Sequence, residues 1–592
     1  MYLYPGPVAP SYFKTGKEEK NIAAVPSKAL WPLNILKDNV MKKLAILFPL
    51  LLCILGSFNS QAQTPQTAYR ITFTDKEPSI HQLSNPQAYL SQRALERRTR
   101  FGIAIDSTDL PVVSAYIDSC LELTSGILHC SSKWLNNCVI LLEDSSRIQT
   151  LDTISFVASV QKVGWFSTGL HAMPAADTAE NLQERPTAFD QAFYGAAWDQ
   201  IHLCEGEYLH GKGNTGAGKL IAVLDVGFSA VNNLSAFDSM FVNNRLVDTW
   251  NFIYDTAHVF DYGAHGTQIL SCLASYVPES HVGTAPDADY ALYATDALAS
   301  EQLIEIDNLV AAMERADSVG ADIISTSLGY NVFDDTADNY IYEELDGHTT
   351  PAARAANTAA GKGILVIASA GNEGNSTWQY ILTPGDADSA LTVGSVNTAK
   401  VAASSTGRGP NASNVLKPNV AALGVSAAVI GPNGSVGTLS GASLATPILA
   451  GMAACLMQEL PDMKPLEMRG LIESVSHLYQ NPDVQRGYGV PNFRRAYDSL
   501  RVSIRKTESI NPGSYSVFPN PVQDELFVYN KHKSGPLALS IYDVQGRNLY
   551  RGQLNQNREA APARIDLSRF GRGMYFIRIE DATGAEVIKF VK

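Results

Sequence analysis

Four polar side chains stand where the chain changes its apolar pattern. Asp225 closes the apolar run KLIAVLD (219–225). His265 lies in GAHGTQILSCLASYV and Ser443 in LSGASLATPILAGMAACLM, each at the head of an apolar helical stretch, with Pro447 expected in the first turn of the second. Asn372 lies in VIASAGNEGN, just past another apolar run. The four types complement one another. A serine hydroxyl is a weak nucleophile until a base takes its proton. An imidazole can be that base, and a carboxylate can hold the imidazole in the right tautomer and stabilise its cation. A tetrahedral intermediate also needs donors for its oxygen, and the N–H of Ser443 with the carboxamide of Asn372 can supply them. Gly441 and Ala442 leave room for a carbonyl to approach. Singly, each residue has a plainer reading as a cap, a structural histidine or a turn former. Together they point to acyl transfer at a serine.

Chain order narrows the reading. It runs Asp, His, Ser, unlike the His-Asp-Ser order of chymotrypsin or the Ser-Asp-His order of α/β-hydrolases, and GASLA lacks the second glycine of a G-x-S-x-G elbow. IAVLDVGF, HGTQ, SLG, SAGNEG and GASLATP follow one another along residues 193–500. This series resembles the successive motifs of subtilisin-like serine peptidases, and SSTGRGP, KPNVAA and GYGVPN resemble that family's later segments. The resemblance implies a triad of Asp225, His265 and Ser443 with Asn372 as oxyanion donor. It implies that Ser327, Leu328 and Gly329 pair with the substrate backbone and wall the S1 pocket. Three departures stand out: Val226 where the family often has Ser or Thr, Gln268 where it usually has a second His, and Ala442-Ser443-Leu444 in place of Thr-Ser-Met. None removes a catalytic group. Glu373 has two open readings, a charge at the rim of S1 favouring a basic P1 side chain, or a solvated loop residue.

The elements that must position these residues follow from the pattern. LIAVLD, DYALYAT, ADIISTSL, GILVIAS and ALTVGSV are short continuous apolar runs, separated by helix-length segments such as EQLIEIDNLVAAMERADSVG. Such runs are buried parallel strands joined by crossover helices, so the expected fold class is α/β, a parallel sheet with flanking helices over residues 193–505, and the resemblance implies that it is subtilisin-like. Functional groups in such a sheet gather outside the carboxyl ends of the strands. Residues 66–165 read as a small α+β unit, in the place of the family's propeptide, which is a folding aid and inhibitor. Its helix 86–103 carries Arg93, Arg97, Arg98 and Arg100, expected on a solvated face. Residues 166–192 read as a linker. Residues 511–592 carry short alternating strands and read as an all-β sandwich. VFPNPVQDEL, IYDVQGR and GMYFIRI within it resemble the C-terminal sorting domain of Bacteroidetes cargo for type IX secretion; a generic β-sandwich binding module is the other reading of this segment.

Composition sets the outer limits. The 592 residues carry 45 Lys and Arg against 59 Asp and Glu, a net charge of −14. This balance argues against a nucleic-acid partner, which needs a basic footprint. With 45% hydrophobic and 18% charged residues the chain can bury a large core. Residues 1–63 read as an N-terminal extension and signal peptide, with Met41-Lys42-Lys43 as its start, since the apolar stretch 44–55 is shorter than the roughly 18 residues that span a bilayer. Cys53 lies in that stretch. The other six cysteines lack metal spacing. Cys272 and Cys455 are expected as buried thiols, and a disulfide among Cys120, Cys130 and Cys138 is open. No cofactor is implied. The acidic loop 333–346 lacks the ligand spacing of an EF-hand and reads as solvated rather than calcium-binding. The expected protein is a secreted or surface-attached endopeptidase, made as a precursor. Its partners are protein or peptide substrates and, through the C-terminal segment, the secretion machinery. The rival reading is a catalytically silent adhesin on the same scaffold. Oligomeric state is left open.

Overall fold

The computed structural model describes residues 66–166, 188–503, 515–530, 535–556, 563–581 and 584–592. The expected signal segment and most of the expected linker lie outside the described residues.

The N-terminal unit is a four-stranded antiparallel sheet built from β1 (Gln66–Phe73), β2 (Ile127–Ser132), β3 (Asn137–Leu142) and β4 (Val157–Phe166), in the order β2-β3-β1-β4, with helices α1 (Gln92–Phe101) and α2 (Ser114–Thr124). The alternation in YRITFT divides its two faces. Tyr69, Ile71 and Phe73 point into a small core with Ile117 and Cys120 of α2, while Ala68, Val139, Leu141 and Val163 pack against the following domain.

That domain is organised by seven parallel strands: β5 (Leu220–Asp225), β6 (Leu246–Asn251), β7 (Asp289–Ala294), β8 (Ile323–Thr326), β9 (Leu365–Ser369), β10 (Leu391–Val396) and β11 (Val420–Leu423). Their order is β11-β10-β9-β8-β5-β7-β6. The interleaved helices are α3 (Ala264–Ala274), α4 (Leu303–Val319) and α5 (Pro351–Gly361). A hairpin of β12 (Ala427–Ile430) and β13 (Val436–Leu439) leads into α6 (Ala442–Glu459), and α7 (Pro465–Ser474) and α8 (Phe493–Ser503) follow. On β5, Ile221 and Val223 face a core shared with α3 and α6, and Leu220, Ala222 and Leu224 face one shared with α4 and α5. Both faces are covered, which is why the strand is apolar throughout. β6 and β11 escaped the sequence reading: β6 is an edge strand of mixed polarity and half-buried, and β11 is only four residues long behind Pro418.

The C-terminal segment folds as two antiparallel sheets around one apolar core. One holds β14 (Tyr515–Phe518), β15 (Glu525–Asn530) and β18 (Ala563–Asp566). The other holds β16 (Gly535–Asp543), β17 (Asn548–Gln556), β19 (Met574–Asp581) and β20 (Gly584–Val591), in the order β17-β16-β19-β20.

Two expectations are corrected, those on the arginines of α1 and on Pro447, and two readings gain detail. The arginines of α1 are not a solvated face: Arg97 and Arg98 are 2% exposed and Arg93 half-buried, and only Arg100 is exposed. Arg97 and Arg98 ion-pair with Asp317 of α4, because a helix pressed onto an acidic neighbour exchanges water for carboxylates. Cys120, Cys130 and Cys138 are all free thiols. The polar stretch read as a linker up to 192 already folds at its end, where Asp190 caps a short helix, Gln191–Tyr194. Pro447 is the sixth residue of α6, beyond its first turn. In the acidic loop, carboxylates are used on local turns: Asp335 accepts from the N–H of Ala337 and Asp346 from those of His348 and Thr349.

Candidate active site

The carboxyl ends of β5 and β9 and the first turns of α3 and α6 meet on one side of the parallel sheet. Asp225, fully buried, ends β5. Its Oδ1 accepts from the N–H of Val226 at 2.9 Å and from Nδ1 of His265 at 2.7 Å. Its Oδ2 has no hydrogen-bond partner among the described residues. The neighbour that could have offered a hydroxyl is Val226.

His265 is the second residue of α3, with about a third of its side chain exposed. Glycines bring that helix start onto the strand end. A Cβ at Gly266 would stand 2.1 Å from the carbonyl oxygen of Gly227, and one at Gly227 would stand 2.4 Å from that of Tyr262. Burial by itself disfavours the imidazolium, but the charge and hydrogen bond of Asp225, with Asp296 adding, outweigh it and raise the pKa of His265.

Ser443 is the second residue of α6 and 9% exposed. Its N–H belongs to the first turn, where a helix leaves such groups without internal partners. Its carbonyl is also released from the helix, since Pro447, four residues on, has no N–H to donate. Ser327 Oγ donates to that carbonyl instead, at 2.7 Å. Asn372, exposed just beyond β9, accepts the N–H of Ala442 on Oδ1 at 2.8 Å, which fixes the carboxamide beside the helix start. Gly441 makes the closeness possible. A Cβ there would lie 2.9 Å from Ser443 Oγ and 3.5 Å from Asn372 Nδ2. Its backbone is extended, so it is space and not conformation that asks for glycine.

Ser327, Leu328 and Gly329 follow β8 and are half-buried. Gly329 and Gly371 both abut the side chain of Leu382, which places this segment beside the turn carrying Asn372 and Glu373. Glu373 is half-buried, and its carbonyl closes the turn by accepting from Ser376 and Gln379. All eight residues singled out from sequence therefore lie on elements that converge. The sequence reading passed over Asp296 and Tyr330, which join these elements. The available signal was position: Asp296 lies two residues past the end of β7, and Tyr330 directly follows Gly329.

Among the described residues no group of three or more His, Cys, Asp or Glu side chains is disposed to hold a metal ion. Nor is any helix among the described residues long and apolar enough to cross a membrane.

Three protein families match the chain in succession. Residues 68–177 match the Bacteroidota peptidase S8 propeptide domain, residues 216–490 the subtilase family, and residues 516–592 a secretion system C-terminal sorting domain. The chain is 28% identical over 305 residues to Serine protease AprX of Bacillus subtilis (strain 168), a match covering 46% of this chain and 64%, just under two thirds, of AprX. It is 27% identical over 278 residues to Subtilisin DY of Bacillus licheniformis, covering 47% of this chain and 90% of that protein. The crystal structure of a cold adapted subtilisin-like serine proteinase aligns at 22% identity and a TM-score of 0.36, over 47% of this chain and 88% of that one. Residues 216–490 thus match the subtilase family, whose relatives support a serine-type endopeptidase, and they stand between a match to a Bacteroidota S8 propeptide domain and one to a secretion system sorting domain, which indicates export.

Proposed function

We propose that this protein is a secreted endopeptidase, made as a precursor, which cuts peptide bonds through an acyl-enzyme on Ser443. The observation that carries the reading is the 2.7 Å bond between His265 Nδ1 and Asp225 Oδ1. With Nδ1–H donated to the carboxylate, Nε2 keeps its lone pair and is free to act as base. Ser443 Oγ attacks the substrate carbonyl carbon while its proton passes to Nε2. The Ser443 N–H and the Asn372 carboxamide N–H hold the oxyanion. The intermediate collapses, the leaving amine takes the proton from His265, and the acyl group stays on Oγ. Water then repeats the sequence, giving its proton to Nε2 and releasing the acid. The segment Ser327–Gly329 pairs with the substrate backbone on the acyl side.

The domain limits proposed are 66–165 for the inhibitory propeptide, 193–505 for the peptidase and 511–592 for the sorting sandwich. A signal peptide starting at Met41 begins the route. The propeptide reading is supported by the way the N-terminal unit is seated. Arg70 grips Asp307 with two bonds of 2.6 and 2.8 Å, and Glu314 accepts from Ser132 Oγ and from the N–H groups of Lys133 and Trp134.

The test is a fluorophosphonate probe on the purified, matured protein. It labels Ser443 in the wild type, and Ser443→Ala abolishes both labelling and peptidase activity. Asn372→Ala lowers kcat on the order of 100- to 1000-fold with little change in KM, the usual cost of one lost oxyanion donor. An unlabelled wild type would return the silent-scaffold reading.

A further inference from the structure

We propose that Asp296 is a positioning residue for this reaction: its buried carboxyl fastens Tyr330, and with it the segment Ser327–Gly329, to the carboxyl end of β7 beside Asp225. The inference rests on the roles proposed above for Asp225, His265 and Ser443.

The geometry runs through three elements. In the parallel register Ala294 of β7 stands opposite Asp225 of β5, and the N–H of Thr295 donates to the Asp225 carbonyl at 3.0 Å. Asp296 comes next, 6% exposed. Its Oδ1 accepts from the Tyr330 hydroxyl at 2.7 Å and its Oδ2 from the Thr295 hydroxyl at 2.5 Å. Tyr330 is 1% exposed, and its N–H donates to the carbonyl of Thr383 at 3.0 Å. At the other end of the same segment Ser327 holds the carbonyl of Ser443. The segment is therefore tied at one end to the nucleophile's own backbone and at the other to the strand beside the acid. A cleft wall fixed at both ends presents a peptide to Ser443 in one place, and a displacement of about 1 Å at such a site costs on the order of 100-fold in rate.

Tethering alone would be served by an asparagine, so the charge needs its own account. The titratable groups facing Asp296 are Asp225 on β5, Tyr262 and His265 at the start of α3, Tyr330 after β8, and Glu305 with the exposed Glu301 at the start of α4. Burial pushes the pKa of Asp296 up to about 7, against the pull of the Thr295 and Tyr330 hydroxyls. Once ionised it favours the imidazolium and raises the pH at which His265 becomes a free base.

Three variants of the full chain, Asp296→Asn, Asp296→Ala and Tyr330→Phe, test this after maturation, with active sites counted by the fluorophosphonate probe. Probe labelling of the wild type is read first, so that a failure of the underlying reading shows there. Asparagine can still accept from Tyr330, so Asp296→Asn keeps kcat/KM on a tetrapeptide amide at alkaline pH while its acid limb moves to lower pH. Asp296→Ala and Tyr330→Phe lose at least about tenfold in kcat/KM on the tetrapeptide and far less on a single-residue ester, which does not need the wall. Equal losses on both substrates, no loss on either, or an acid limb that stays in place in Asp296→Asn would overturn the proposal. Tyr330→Phe removes one hydroxyl and keeps the ring, so it decides the tethering even where Asp296→Ala does not fold.

Discussion

The two units flanking the peptidase domain are attached by opposite means. The N-terminal unit sits on α4 and α5 through buried charges in alternation: Lys362 reaches Asp109, Asp109 pairs with Arg98, and Arg98 and Arg97 share Asp317, which Lys133 also approaches. None of these side chains is more than 10% exposed. Among the described residues the C-terminal unit touches the peptidase core through Val544, Met574 and Phe576, with one partly exposed ion pair, Lys589 to Glu467 at 2.7 Å, and the Tyr479 hydroxyl on the Arg572 carbonyl. Buried ion pairs are costly to form and costlier to break singly, so they favour one seat over all others. A few apolar contacts and a solvated pair hold loosely and with little choice. The difference suits the roles proposed above, a propeptide that fits its own enzyme and a sorting segment met by other machinery.

The comparison can be broken most readily at Asp317. Asp317→Ala in the Ser443→Ala precursor should lose about 3–5 kcal/mol, because it leaves the buried Arg97 guanidinium without its carboxylate and Arg98 with Asp109 alone. A loss under about 1 kcal/mol by denaturant titration would show that the network holds nothing.

Acid sharpens the same contrast. Burial raises Asp307 and Glu314, whereas the charges of Arg97, Lys133 and Arg98 outweigh burial and lower Asp317. A raised carboxyl costs stability at neutral pH, and that cost is relieved as pH falls toward its unfolded value. A lowered one contributes stability above its unfolded value near 3.8, lost as pH falls through the lower folded value. The stability set by Asp307 and Glu314 should therefore grow as pH falls below neutrality, and that set by Asp317 should drop only below about 4, each read as the difference in denaturant midpoint between the Ser443→Ala precursor and the same chain with that carboxylate made an amide. Differences that do not change with pH would contradict this.

At the other flank the expected effects are smaller. A chain ended at Ile510 should keep peptidase activity once matured and fail to reach the cell surface, read by activity and by surface labelling. Lys589→Ala should cost less than about 1 kcal/mol, as for other solvated pairs. A larger loss would mean that the sandwich is fastened rather than resting.

Much of the site could be read from local pattern. Asp225, His265, Asn372 and Ser443 each border an apolar run, and the place where such a run starts or stops is visible along the chain. Continuous runs such as LIAVLD are legible because both faces of the sheet are covered. The edge strand Leu246–Asn251 is mixed in polarity and was not. Pro447 looked like a first-turn residue from its distance to GAS, yet it lies deeper in the helix. There its missing N–H frees the Ser443 carbonyl for Ser327, a partner 116 residues away.

What lies along one stretch of chain was therefore settled by the order of residues: which segments are strands and helices, where they end, and which polar groups stand at those ends. The arginines of α1 show the limit. A run of basic residues on a helix reads the same whether it meets water or Asp317, and the choice depends on which surface the folded chain sets against it. The same holds for Asp296. Its partners Tyr330, Asp225 and His265 come from three other elements, and only the parallel register of β5 and β7 and the path after β8 bring them together. Charges and tethers are properties of neighbourhoods, and in this sheet the neighbours are distant in sequence.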